Sequence, residues 1–136
     1  MLQENYLALD IGAKRIGVAL GSVIPFGKGV VEAGDQEAVL NELRKIITQN
    51  HITTIVVGVP RVKSGDVTQS QQLALDWIAK LEQIFELPVE TVDESYSSLE
   101  AEDQLKSEKV DIKTEKWRID ERAAELILAQ YLNEKK

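Results

Sequence analysis

The sequence predicts an α/β protein built on a mixed β-sheet: an N-terminal β-hairpin or meander, then alternating helices and strands, with helices on both faces of the sheet. Three observations carry this. Two apolar runs, residues 5–11 and 16–20, are joined by the short turn Gly12-Ala13-Lys14-Arg15, which is hairpin spacing. Beyond position 35, segments of helical periodicity alternate with short β-branched runs. Antiparallel strands followed by strand–helix–strand units give a mixed sheet with helices packed against it. With 136 residues, 43% hydrophobic and 29% charged, the chain has the size and balance of one folded domain spanning 1–136.

The first strand, Asn5 to Ile11, is apolar on both faces and therefore central. Ile16 to Leu20 is its hairpin partner. Glycines at 21, 27 and 29 predict a bend and a short third strand near Val30-Val31. Asp35 is the N-cap of a helix running to about Gln49, with Val39, Leu40, Leu43, Ile46 and Ile47 on its apolar face. His51 ends that helix. Thr53 to Val59 is a buried strand, followed by a polar loop, Arg61 to Asp66. A long helix over Gln69 to Glu86 turns Leu73, Trp77, Ile78, Leu81 and Phe85 inward, and Pro88 stops it. Val89 to Val92 is another strand. Ser97-Ser98-Leu99-Glu100 has capping-box spacing and opens a helix. Lys106 to Trp117 is charged and irregular, and a last helix covers Arg118 to Asn133, with Trp117 packed beneath it.

Composition narrows the function. The chain has no cysteine, which removes disulfides, thiol catalysis and thiolate metal sites. The start, Met1 to Tyr6, is neither basic nor strongly apolar, unlike a signal peptide. No run approaches the ~20 apolar residues of a membrane span. A cytoplasmic protein is expected. The net charge of −7 is not that of a broadly basic nucleic-acid binder, so any such binding must use a local patch.

Acidic residues stand at the ends of elements. Asp10 closes an apolar strand on the face of Tyr6 and Ala8, where a carboxylate is costly unless paired or holding a cation. Asp93 and Glu94 follow the strand Val89 to Val92, and strand ends of α/β sheets are common places for sites. Asp120 opens the last helix. Its neighbours Ala123, Ala124 and Ile127 put it on the packed face, with Glu121 and Glu125 pointing away from that face. Each acid also has a plain structural reading. Asp10 would cap the turn, Asp93 or Glu94 would be solvated, and Asp120 would favour a helix N-terminus. Met together, three carboxylates repel unless a cation neutralises them, and Mg²⁺ suits such a set.

Four blocks then resemble one family. Ala8 to Ala19, with Asp10, Gly12, Lys14, Arg15, Ile16 and Gly17, is similar to the opening D-x-G-x-K-R-I-G-V-A of YqgF/RuvX proteins. Val57-Gly58-Val59-Pro60 with Gly65, Leu87-Pro88-Val89 leading to Asp93-Glu94, and Ile119 to Ala124 with Ile127-Leu128 resemble the family's later segments, in family order. The resemblance implies an RNase H-like fold and a metal-dependent hydrolase, a nuclease using Mg²⁺ or Mn²⁺. It implies action on the 5′ end of the small-subunit ribosomal RNA precursor, or, alternatively, on Holliday junctions in branched DNA. It places the catalytic and metal-binding triad on Asp10, Glu94 and Asp120. Ser95 stands where the family carries an arginine, and Arg61 and Lys63 stand where it often has an apolar residue and an asparagine.

Lys14, Arg15, Arg61 and Lys63 are the expected nucleic-acid contacts. Lys106, Lys109, Lys113, Lys116 and Arg118 form a surface segment, or a flap, ahead of Asp120. The expected partners are structured RNA or branched DNA and ribosomal precursor particles, with no membrane and with monomer and homodimer both open. Two other classes compete: a non-catalytic nucleic-acid or ribosome-assembly module, and an ATP-binding kinase-like domain. The latter needs two such domains around its nucleotide, and this chain supplies one.

Overall fold

A computed structural model describes residues 3–60, 67–94 and 97–135. The first three elements are strands: β1 (Tyr6–Ile11), β2 (Arg15–Gly21) and β3 (Phe26–Glu32). After them come α1 (Gln36–Gln49), β4 (Thr54–Pro60), α2 (Gln69–Phe85) and β5 (Val89–Glu94). Two helices finish the chain, α3 (Ser97–Ser107) and α4 (Trp117–Glu134). The five strands form one sheet in the order β3-β2-β1-β4-β5. Neighbours β1–β2 and β2–β3 are antiparallel, whereas β1–β4 and β4–β5 are parallel. This is the mixed sheet the hairpin spacing and the later alternation predict.

The two faces of the sheet carry different side chains. Leu7, Leu9, Ile16, Val18, Ile55 and Val57 pack with Val39 and Leu43 of α1 and with Trp77 and Leu81 of α2. Each such fully buried large side chain stabilises the fold by ~1.5–3 kcal/mol relative to exposure, so most of the apolar stability lies on this side. The opposite face is made of Tyr6, Ala8, Ala19, Val56 and Val92, and α4 covers it with Ala124, Ile127 and Leu128. Small residues there let α4 lie close. Its far end is held by Tyr131, edge-on to Tyr6 with ring centroids 5.3 Å apart. Helix α3 packs against α4. It buries Ala101 and Leu105 and is tied to α4 by Arg122, which donates to Glu108 Oε2 at 2.6 Å and Oε1 at 2.8 Å.

Several boundaries differ from the sequence reading for identifiable reasons. Strand β3 begins at Phe26, well before Val30, because backbone pairing with β2 tolerates Gly27 and Gly29; a register shift lies between Gly17 and Ala19, and Gly29 adopts a φ of 83°. Strand β5 does not stop at Val92. Parallel pairing with Val59 and Pro60 carries it through Asp93 and Glu94. Asp35 caps α1 by accepting from the Glu37 amide at 3.1 Å, as expected. His51 ends that helix in the left-handed region, φ 51°. Trp117 is not packed beneath α4. It opens the helix, 38% exposed, with the Arg118 guanidinium 5.8 Å from its ring centroid. No helix among the described residues is long and apolar enough to cross a membrane.

Candidate active site

Strand alternation decides which acids can meet. On β1, Asp10 lies two residues beyond Ala8 and so shares the face covered by α4. On β5, Glu94 lies two residues beyond Val92, which is buried on that same face. Asp93 therefore faces the other way, and of the two adjacent acids it is Glu94 that turns toward Asp10. The strands β1 and β5 are separated by β4, about two strand spacings or ~9.6 Å. Glu94 must reach across β4, and the residue it crosses is Gly58. A Cβ on Gly58 would lie 3.0 Å from Glu94 Oε2 and 2.5 Å from Ile127 Cδ1. The absent side chain opens the path, and Glu94 and Asp10 share a hydrogen bond.

Asp120 arrives from the other side, on the first turn of α4. That turn rests directly on β2 at Gly17, the residue in register with Asp10. Arg15, also on β2, donates from Nε to Asp120 Oδ2 at 2.9 Å. Burial pushes the Asp10 carboxyl well above the usual carboxylate range, and the charges of Glu94 and Asp120, with the Glu94 hydrogen bond, push it further the same way. Burial raises Glu94 too, opposed by its bond to Asp10. The two crowded carboxyl groups titrate as a coupled pair, displaced upward together. Asp10 is not a turn cap in this arrangement. The turn is closed instead by the Gly12 amide donating to the Arg15 carbonyl at 3.0 Å.

The three acids come within electrostatic reach of one another, but among the described residues no three acidic groups form a ready-made cation cage. Asp120 is engaged by Arg15, and Asp10 by Glu94. The donor set nonetheless fits a hard divalent cation. It consists of carboxylate oxygens alone, burial raises two of them, Asp10 and Glu94, and Mg²⁺ needs only one or two carboxylates when phosphate supplies the rest.

Of the expected nucleic-acid contacts, Lys14 is exposed on the β1–β2 turn beside Asp10, while Arg15 is not a free hairpin tip, being paired with Asp120. Arg61 and Lys63 lie outside the described residues, as do Gly65 and Ser95. Glu121 and Glu125 do not point away from the packed face. Glu121 Oε2 accepts from the Gly29 amide at 2.6 Å, and both carboxyl groups would be struck by a Cβ on Gly27. Glu125 is raised chiefly by burial. The helix lies over β3 as well as β2, so residues one step round from Asp120 meet the sheet edge. Gly17 and Gly58 were missed as site residues, although glycine inside a strand signals close approach of another group.

Solved structures of Holliday junction resolvases share this fold. RuvC of T. thermophilus in complex with a Holliday junction substrate matches with a TM-score of 0.54, at 14% identity, over 90% of this chain and 89% of that one. The yeast mitochondrial Holliday junction resolvase matches with a TM-score of 0.58, at 11% identity, over 96% of this chain and 78% of that one. The architecture is RNase H-like, with Asp10 and Glu94 near the ends of strands β1 and β5 and Asp120 on the first turn of α4. Within that class the chain belongs to the RuvX family, described as Holliday junction resolvase, whose sequence profile matches residues 4–134. Relatives carrying the name "Putative pre-16S rRNA nuclease" include one from Picosynechococcus sp., 40% identical over 93% of this chain and 90% of its own length. Another, from Rippkaea orientalis, is 34% identical over the whole of both chains.

Proposed function

We propose that this protein is a nuclease that hydrolyses phosphodiester bonds in the RNA precursor of the small ribosomal subunit, using Asp10, Glu94 and Asp120 with Mg²⁺ or Mn²⁺. The observation that supports it most is the Asp10–Glu94 pair, two half-buried carboxyl groups crowded together within electrostatic reach of a third. A structural role does not call for such a pair, since a proton or a cation must always be supplied to hold it. When bound, the ion would supply Lewis-acid charge at the phosphodiester. Asp10 and Glu94 would hold it as carboxylates, its charge offsetting the burial and crowding that raise them. Asp120 would leave Arg15 to complete the set, and the freed Arg15, with Lys14, would orient the strand through its phosphates. Arg61 and Lys63, which follow β4 in the sequence, would extend that contact. The names of the relatives support the ribosomal precursor as substrate, and with it a cytoplasmic setting.

A second reading, resolution of branched DNA, is favoured by the family description and by the fold shared with resolvases. Both are tested by incubating the protein with labelled precursor RNA, single strands and four-way junctions, with and without Mg²⁺ or Mn²⁺. Metal-dependent cleavage of the precursor supports the first reading, and preference for the junction the second. Binding without cleavage of any substrate points to a non-catalytic assembly module.

A further inference from the structure

Beside the acidic centre lies a cavity of about 480 Å³, bounded by α3, the segment 108–116 and the first turn of α4. Ile112 and Ile119 give it apolar walls, and four cations stand around it: Arg15, Lys106, Lys113 and Lys116. The acids lining it are already engaged. Glu102 pairs with Lys106 at 3.3 Å, and Asp120 with Arg15 at 2.9 Å. Lys113 and Lys116 are exposed, and among the described residues no ion pair reaches either. On a chain of net charge −7, two uncompensated lysines beside an apolar hollow form a local reversal of sign.

That combination selects its ligand. A bare anion has no use for the isoleucines, and an apolar molecule has none for the lysines. A nucleotide uses both, its base lying against apolar side chains and its phosphates meeting cations. The volume is within the ~300–1,000 Å³ range of small-ligand sites. We propose that this cavity is a nucleotide subsite for the single strand flanking the scissile phosphodiester, with a base against Ile112 and Ile119 and phosphates at Lys113 and Lys116. The proposal rests on the nuclease reading. Asp120 and Arg15 belong both to the cavity wall and to the acidic centre, so a strand seated here continues onto the Asp10–Glu94 pair.

The test is anisotropy of a fluorescein-labelled single-stranded oligonucleotide, as RNA and as DNA, titrated with full-length protein in EDTA over a range of salt. The wild type binds. Lys113→Glu with Lys116→Glu weakens binding roughly tenfold or more and flattens the log–log salt slope by about 1.4, the loss of two single-strand phosphate contacts. Ile112→Ser weakens binding with little change of slope, because it removes an apolar contact and no charge. Lys45→Glu, on α1 across the sheet, serves as control. Melting temperatures report folding, and Lys113→Gln with Lys116→Gln repeats the test without charge reversal. The subsite is overturned if the wild type does not bind, or if the lysine variants keep wild-type affinity and slope. It is also overturned if AMP displaces the strand at the strand's own affinity, which makes the cavity a mononucleotide site. Because binding is read without metal, failure of cleavage leaves the subsite standing, and failure of the subsite leaves cleavage untouched.

Discussion

Gly17 of β2 lies directly beneath the main-chain carbonyl of Asp120, so close that a Cβ at position 17 would come within 1.9 Å of that oxygen. Gly17 is also the cross-strand partner of Asp10. Two backbones therefore touch at the point where two carboxylates approach. The approach of α4, and with it the position of Asp120, depends on a residue that carries no functional group.

Gly17→Ala should consequently lift the first turn of α4. The expected cost is ~1–3 kcal/mol or more, since the clash is with backbone and no side chain can swing aside. Gly58→Ala should also destabilise, through Ile127 and Glu94. Urea unfolding measures both. Wild-type stability in Gly17→Ala would show that α4 can shift without loss.

The acidic pair predicts how stability depends on pH without divalent cations. Asp10 and Glu94 are raised in the folded state, so above the ordinary carboxylate range the folded protein holds more protons than the unfolded chain. Their contribution is fullest below that range and is lost as pH rises toward the folded-state values. Asp10→Asn removes the carboxylate that burial and its neighbours disfavour. Its melting temperature should exceed that of the wild type near neutral pH in EDTA, with the difference shrinking on acidification. Scanning calorimetry across that window checks the sign. A wild type more stable than Asp10→Asn at neutral pH in EDTA would contradict the assigned electrostatics.

Glu121 anchors α4 to β3 through the Gly29 amide. Glu121→Ala should cost ~1–3 kcal/mol, the range for leaving a charge-assisted partner unsatisfied. Glu121→Gln keeps an acceptor and should cost less. Thermal melts of the two variants, ranked in that order, test the contact; equal and negligible losses would return Glu121 to solvent.

Legibility of the sequence varied with the range of the interaction concerned. Helix α1, with its Asp35 cap and its Val39 and Leu43 face, was readable because caps and periodicity are local. So was the placement of Asp10 and Asp120 on packed faces. What escaped was set by contacts between distant elements. The family resemblance chose Glu94 over Asp93, but strand pattern alone left the two open until pairing with Pro60 extended β5 and made the alternation count. Glu121 seemed outward because helical spacing names the face toward α4's own core, and nothing in it shows that β3 wraps beneath the next residues round. The Arg15–Asp120 pair spans 105 positions and leaves no mark in the local pattern.

Nucleic-acid binding should be salt-dependent, since only local cations oppose an acidic whole. Lys14→Glu alone should weaken it without disturbing the fold, because Lys14 is exposed on its turn. Adding Arg15→Glu should weaken it further and also free Asp120 of its partner. Filter binding at several salt concentrations gives the slope. Equal affinities for wild type and both variants would move the binding surface elsewhere.

The most direct measurement is the cleavage rate of wild type and Asp10→Asn on labelled ribosomal precursor RNA with Mg²⁺ or Mn²⁺, alongside melting of the same samples with and without metal. Asp10 bonds to Glu94 and lies within electrostatic reach of Asp120, so losing its charge should abolish cleavage while the protein stays folded, and metal should raise the melting temperature of the wild type more than that of the variant. Full cleavage by a folded Asp10→Asn would contradict the acidic centre as the site of chemistry.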